Sequence, residues 1–303
     1  MMRLLAIFTV AVLAACQAPK APLSPIETVQ IDIAGLLFDV NTAGDPGATP
    51  VLLLHGFPLS AHSWRHQLPA LAANGYFAMA PNQRGYSPGV RPSQVEAYAI
   101  ELLVEDAIAV ASHFGYEQFH LVGHDWGGTL AWEIAAKHSS RVLSLSVLSR
   151  PHPKAFLDAM HEGQDQAKRS GHQGFFQSEE ATDWLLVDDA AQLRGLLRDQ
   201  GVPDDDVAAY LNGLLTHDAM DAVINWYRAR GPLTRTLPAI QIPTLYIWGN
   251  EDATVGRVAA LATSEQIAAP YTFIELSGIG HFSTDQAPDA VNQALLRHLA
   301  DHR

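Results

Sequence analysis

Cysteine is almost missing from this 303-residue chain: Cys16 stands alone. No internal disulfide can form, so oxidation cannot staple the fold. Positive charge is also scarce, with 19 Lys and Arg against 32 Asp and Glu and a formal net charge of −13. That balance argues against nucleic acid or an anionic membrane surface as partner, because both recruit basic patches. There is no low-complexity tract, no internal repeat and no cluster with metal-ligand spacing, so neither a solenoid nor a metal centre is expected. What remains is globular, at 48% hydrophobic and 17% charged. The length suffices for one substantial core, or a core plus an inserted subdomain.

The one cysteine is informative by position. Met1-Met2-Arg3 supplies a positive start, residues 4–14 an apolar stretch too short to span a bilayer, and Ala14-Ala15 small residues before Cys16. This pattern resembles the bacterial lipoprotein signal. The resemblance implies a signal peptide over 1–15, lipidation of Cys16, and an Ala/Pro-rich tether over 16–26. It implies export to the periplasm or, with Gln17 after the cysteine, the outer membrane, with membrane contact through the lipid anchor alone. An ordinary secretory signal with an incidental cysteine is the alternative.

Beyond residue 26 the pattern is α/β. Val29, Ile31 and Ile33 alternate with polar residues, and 36–40 follows across Ala34-Gly35, which predicts an edge hairpin. Short continuous apolar runs at 51–54, 76–80, 118–122, 142–148, 244–248 and 272–276 predict parallel strands covered on both faces. Between them lie helical patterns. Ile100, Leu103, Val104, Ala107, Ile108, Ala111 and Phe114 recur at three and four, as do Val291, Leu295, Leu296 and Leu299. Strands alternating with helices imply a mostly parallel central sheet with helices on both faces. The alternation fails between Pro151 and Thr236, where helical runs occur without a convincing strand. The expected division is a core over 27–150 and 237–303 and an inserted helical cap over 151–236, roofing the C-terminal edge of the sheet where ligands bind in such folds.

Gly123-His124-Asp125-Trp126-Gly127-Gly128 sits between the 118–122 strand and a helical run at 129–136. Gly-x-nucleophile-x-Gly between a strand and a helix is the strained turn of the α/β hydrolases. Asp rather than Ser at its centre points to attack by a carboxylate and an alkyl-enzyme ester. A chance Gly-rich turn with a helix-capping Asp is the bland alternative. A nucleophile needs a base and the base an orienting acid. His281, in Gly280-His281-Phe282, follows the last strand; Asp252 follows the strand before it. The order nucleophile, acid, histidine is that of the α/β hydrolases. Glu251 and Asp285 compete as the acid, and Asp252 is preferred because Glu251, one residue away, should point elsewhere. In His55-Gly56-Phe57-Pro58 the Phe57 amide, with that of Trp126, can form an oxyanion hole, although an ordinary strand-terminating turn reads the same.

Together with Arg84-Gly85-Tyr86 and Asn225-Trp226-Tyr227-Arg228, these motifs resemble the α/β-hydrolase-fold epoxide hydrolases from about Ile31 to the C-terminus. The resemblance implies that Asp125 attacks an apolar epoxide bound among Phe57, Trp126 and Tyr227. It implies that Tyr227 donates to the ring oxygen, that His281 with Asp252 activates water, and that a vicinal diol leaves without a cofactor. Without it, Trp226 and Tyr227 would read as a helix core contact. The family's second cap tyrosine is replaced by His172, before Phe175-Phe176; His172 is either a second donor or a plain cap residue. Phe156, Met160, Phe175, Phe176, Trp184 and Leu185 either line an apolar cavity or form the cap's own core. Two other functions remain in view: a haloalkane or haloacid dehalogenase using the same Asp, and an inactive lipid-anchored binding protein.

Overall fold

The computed structural model describes residues 24–162, 164–230 and 237–303. The expected signal sequence over 1–15, Cys16 and most of the expected tether lie outside the described residues. Eight strands form one sheet: β1 (Glu27–Ile33), β2 (Leu36–Ala43), β3 (Thr49–Leu54), β4 (Tyr76–Pro81), β5 (Phe119–His124), β6 (Val142–Leu148), β7 (Thr244–Gly249) and β8 (Tyr271–Leu276). Their order is β1-β2-β4-β3-β5-β6-β7-β8. The β1–β2 hairpin pairs antiparallel at one edge and β2 meets β4 antiparallel; every later pair is parallel. This is the expected α/β-hydrolase fold, a mostly parallel sheet flanked by helices.

The period-2 pleat decides which helix each strand residue meets. Val51 and Leu53 point to the face covered by α1 (Gln67–Ala72) and, from the far end of the chain, by α12 (Pro288–Ala300), through Leu68, Leu71, Val291, Leu295 and Leu299. Leu52 and Leu54 point to the other face, under α2 (Ile100–His113) and α3 (Trp126–Lys137), which contribute Leu103, Ala107, Leu130 and Ile134. Both faces are therefore dry, which is why these strands read as unbroken apolar runs. Fully burying one such Leu or Val contributes about 1.5–3 kcal/mol.

Between β6 and β7 the described residues form six helices: α4 (Pro153–Glu162), α5 (Gln164–Arg169), α6 (Gly171–Phe175), α7 (Ala181–Asp199), α8 (Asp204–Leu211) and α9 (His217–Arg228). After β7 the chain adds α10 (Arg257–Ala262) and, after β8, the short α11 (Ser283–Gln286). The long α7 is interrupted at 187–190, where Asp188, Asp189 and Ala190 take positive φ. Several sets of polar contacts tie the six-helix insertion to the core, among them Gln166 with Thr254 and Gly256 and Arg169 on the Asp252 carbonyl. Arg65 bridges Asp206 of α8 and Asp285 of α11, each at 2.7 Å, and Tyr210 donates to the same Asp285 at 2.7 Å. On the other side the Trp226 indole donates to the Arg84 carbonyl at 2.8 Å, while the Arg84 side chain is clamped on Asp106 of α2 at 2.7 and 2.8 Å. Asp106, Arg84 and Trp226 thus fix where α9 lies, and with it the neighbouring Tyr227.

Candidate active site

Asp125 falls between the last residue of β5 and the first of α3, at φ 52° and ψ −115°. A side chain in that region costs on the order of 1–3 kcal/mol of backbone strain. The strain turns the carboxylate out of the strand and away from the helix axis. It makes no capping hydrogen bond, so the helix-cap alternative is excluded. Instead Oδ1 accepts from the Phe57 amide at 3.0 Å. Two glycines make room for this turn. A Cβ at Gly127 would stand 2.1 Å from the Leu54 carbonyl oxygen, and one at Gly56 would stand 2.4 Å from the Asp125 Cβ. Trp126 opens α3, where the first amides have no intrahelical acceptor.

Facing the other carboxylate oxygen, His281 Nε2 lies 3.7 Å from Oδ2, beyond hydrogen-bond length. The opposite ring nitrogen, Nδ1, lies 3.0 and 3.2 Å from the two oxygens of Asp252. Asp252 is almost wholly enclosed, and four further donors satisfy it: Ser149 Oγ at 2.5 Å, Thr254 N and Oγ1 at 2.7 and 2.8 Å, and Val255 N at 3.1 Å. Burial opposes its charge, yet His281 and these hydrogen bonds prevail and hold its pKa down to about 2. The same pair acts in the opposite sense on His281. Burial pulls its pKa down, but the Asp252 charge and hydrogen bond outweigh that and leave it raised. An imidazole so held can take a proton and keep it. Neither rival acid reaches it: Glu251 is exposed and Asp285 is engaged by Arg65 and Tyr210.

Tyr227 hangs from α9 above this floor, in an aromatic box. Its ring lies edge-on to Phe57 at 5.7 Å, Trp126 at 5.1 Å and Phe176 at 5.0 Å. Burial first, and the Asp125 charge second, push its pKa well above the ordinary phenol value, so it stays a donor. His172 lines the same chamber as Asp125 and Tyr227. Its Nδ1 faces the Arg169 carbonyl at 3.1 Å, and burial lowers its pKa. The other aromatic candidates separate. Phe176 packs on Phe57, Phe156 walls an adjoining apolar cavity, Leu185 is core, Met160 is half-buried, and Phe175 and Trp184 are exposed.

Several polar residues at the site escaped the sequence reading. Ser149, at φ 66°, caps β6 and touches both Asp252 Oδ2 and His281 Nδ1, the latter at 2.8 Å. Thr254 Oγ1 also reaches His281 Nδ1, at 2.9 Å. Arg150 and Arg230 line the chamber with Asp125. Ser149 and Arg150 follow a parallel strand at its C-terminal end, and that position was the available signal.

The family profile described as alpha/beta hydrolase fold matches residues 49–288. Epoxide hydrolase A of Mycobacterium tuberculosis (strain ATCC 25618 / H37Rv) is 32% identical, over 89% of this chain and 96% of its own. Epoxide hydrolase 4 of Mus musculus is 31% identical, over 87% of this chain and 76% of its own. Among solved structures, an epoxide hydrolase of Bacillus megaterium in complex with an inhibitor superposes with a TM-score of 0.82 at 29% identity, covering 90% of this chain and 100% of that one. With its sheet order, its strained Asp125 turn and these relatives, the chain belongs to the α/β hydrolase fold family, among the epoxide hydrolases.

Proposed function

We propose that this chain opens epoxides to vicinal diols in two steps through an ester on Asp125. The observation that carries the reading is the placement of the Asp125 carboxylate. One oxygen is held by the Phe57 amide, the other faces His281, and a protonated Tyr227 closes the aromatic box above. In the first step an Asp125 oxygen bonds to a ring carbon, the ring C–O bond breaks, and the Tyr227 hydroxyl donates to the oxygen that leaves. His172, on the same chamber wall, is the second donor in this reading. In the second step His281, oriented by Asp252, takes a proton from water, and the hydroxide attacks the ester carbonyl. The Phe57 and Trp126 amides stabilise the oxyanion, worth on the order of 100–1,000-fold per donor. The helices from α4 to α9 act as the cap that excludes bulk water.

A His281→Gln variant given styrene oxide should accumulate Asp125 carrying the mass of the substrate, because the ester forms and is not hydrolysed. Wild-type protein in a single turnover in H₂¹⁸O should carry label into Asp125 and release unlabelled diol. Label appearing directly in the diol would refute the two-step reading, and halide release from bromoalkanes without diol formation would move the chain to the dehalogenases.

The N-terminal pattern supports a further reading, export and lipid anchoring at Cys16. Radioactive palmitate that labels the wild type and Cys16→Ser equally would dismiss it.

A further inference from the structure

Two guanidinium groups enter the catalytic chamber, and among the described residues no carboxylate pairs with either. Arg150 stands just beyond β6 and Arg230 just beyond α9. Both line the chamber of Asp125 and His281, and both also line the neighbouring apolar cavity walled by Ile100, Leu103, Pro153 and Phe156. They therefore occupy the neck between the two spaces. Among the described residues neither forms an ion pair. The Arg150 guanidinium lies 4.2 Å from the Phe156 ring centre, and its buried Nε makes no hydrogen bond. Arg230 gives one Nη1 hydrogen bond to Gln173 Oε1 at 2.5 Å and faces the Trp126 ring at 5.5 Å. Ring contacts occupy the faces of the two groups and leave N–H edges over.

The carboxylates nearby are already engaged. Asp252 is saturated by Ser149, Thr254, Val255 and His281, while Asp125 takes the Phe57 amide and faces His281. Glu133, on the wall of the apolar cavity, is paired with Lys137 at 2.6 Å. Burial, followed by repulsion from Arg150, pulls the Arg230 pKa down to about 9, so it remains a cation at neutral pH. Two desolvated like charges side by side are unfavourable unless an anion joins them. Arginine's planar fork fits a carboxylate in two-point contact.

We propose that Arg150 and Arg230 form a carboxylate clamp, and that the epoxide taken by this enzyme carries a carboxylate on or next to the ring. The inference rests on the epoxide-opening reading above and narrows its substrate class. In place of the purely apolar epoxide expected from the sequence, it asks for an oxirane-carboxylate whose apolar substituent enters the cavity beside Phe156. The reaction adds one water across a ring C–O bond and yields a dihydroxy acid whose carboxylate is unchanged.

The test compares trans-3-phenylglycidate with its primary amide, equal in size and different in charge, using the full chain. The expected kcat/KM for the acid exceeds that for the amide at least about tenfold, mainly through KM. That ratio should fall to within about twofold of unity in Arg150→Gln and in Arg230→Gln, with Arg230→Lys between, in variants shown by thermal melts to be folded. A wild-type ratio near unity, with both epoxides or styrene oxide turned over, overturns the clamp and leaves ring opening standing. If no epoxide is turned over, ring opening fails and calorimetry decides the clamp. Cinnamate binding at least about tenfold tighter than cinnamamide, lost in both Gln variants, upholds it, and equal or absent binding overturns it.

Discussion

The Phe57 amide cannot be deleted by changing a side chain, but its position can be changed through Gly56. A Cβ added at Gly56 would lie 2.4 Å from both Cβ and Oδ1 of Asp125 and 2.8 Å from its Cγ. Non-bonded carbons rest at about 3.5–4.0 Å, so the two turns must part by roughly 1 Å. The amide, now 3.0 Å from Oδ1, then loses its bond. Losing one such donor costs on the order of 100–1,000-fold in turnover, about 3–4 kcal/mol. The overpacking itself should cost stability separately, about 1–3 kcal/mol. Gly195→Ala in α7 is the control: its Cβ meets nothing within 4 Å, so it should stabilise the helix by about 0.5–1 kcal/mol. Thermal melts give the stability terms. Quenched-flow mass spectrometry, following the rise and decay of the Asp125 adduct, gives the chemical ones. A Gly56→Ala protein that forms and hydrolyses the adduct within about threefold of wild type would show that close approach does not hold the amide, and the reasoning would fail.

Two further predictions concern pH. Because His281 must be neutral to take a proton from water and its pKa is raised by Asp252, the acid limb of ester hydrolysis should lie above 6.5, the ordinary histidine value. In Asp252→Asn, with Asp125 esterified and so uncharged during ester hydrolysis, both carboxylates that oppose burial are gone, and the limb should move below 6.5 while the rate falls; an unmoved limb would separate His281 from Asp252. Burial also holds His55, His120, His124, His152 and His298 down to about 4. Their folded pKa values lie below the unfolded one, so the stability they contribute is present above pH 6.5 and lost as pH falls through 4, at most about 3 kcal/mol each. Urea midpoints should drop steeply between pH 6.5 and 4, before Asp252 titrates near 2, and a flat profile over that window would contradict the burial argument.

The sheet was legible because its central strands are covered on both faces, which leaves unbroken apolar runs such as Val51–Leu54. Asp125 was legible because its strained turn leaves no room for a Cβ at Gly123 or Gly127, and those flanking glycines are written in the sequence. Arg150 and Ser149 were not, since their places depend on how β6 ends against β7 and on where Asp252 comes to rest. Tyr246, for example, donates to the Ser149 carbonyl at 2.8 Å from the neighbouring strand. Nor could the aromatic candidates be sorted in advance. Phe175 and Phe176 are adjacent in sequence, yet one is exposed and the other packs on Phe57 and Tyr227.

The two halves of the site rest on different kinds of support. Asp125 and Asp252 follow parallel strands buried on both faces, and His281 follows the half-exposed parallel edge strand β8. Tyr227, His172 and Arg230 belong to the six-helix insertion, whose position depends on the Trp226–Arg84–Asp106 chain and the Arg65–Asp206–Asp285 bridge. The phenol and one guanidinium therefore move directly when the insertion shifts, whereas the triad feels it only through Arg169 and Gln166 on the Asp252–Gly256 loop. Changes at Arg65 or Asp106 should then alter ring opening, which uses Tyr227, more than ester hydrolysis, whose groups stand on the core.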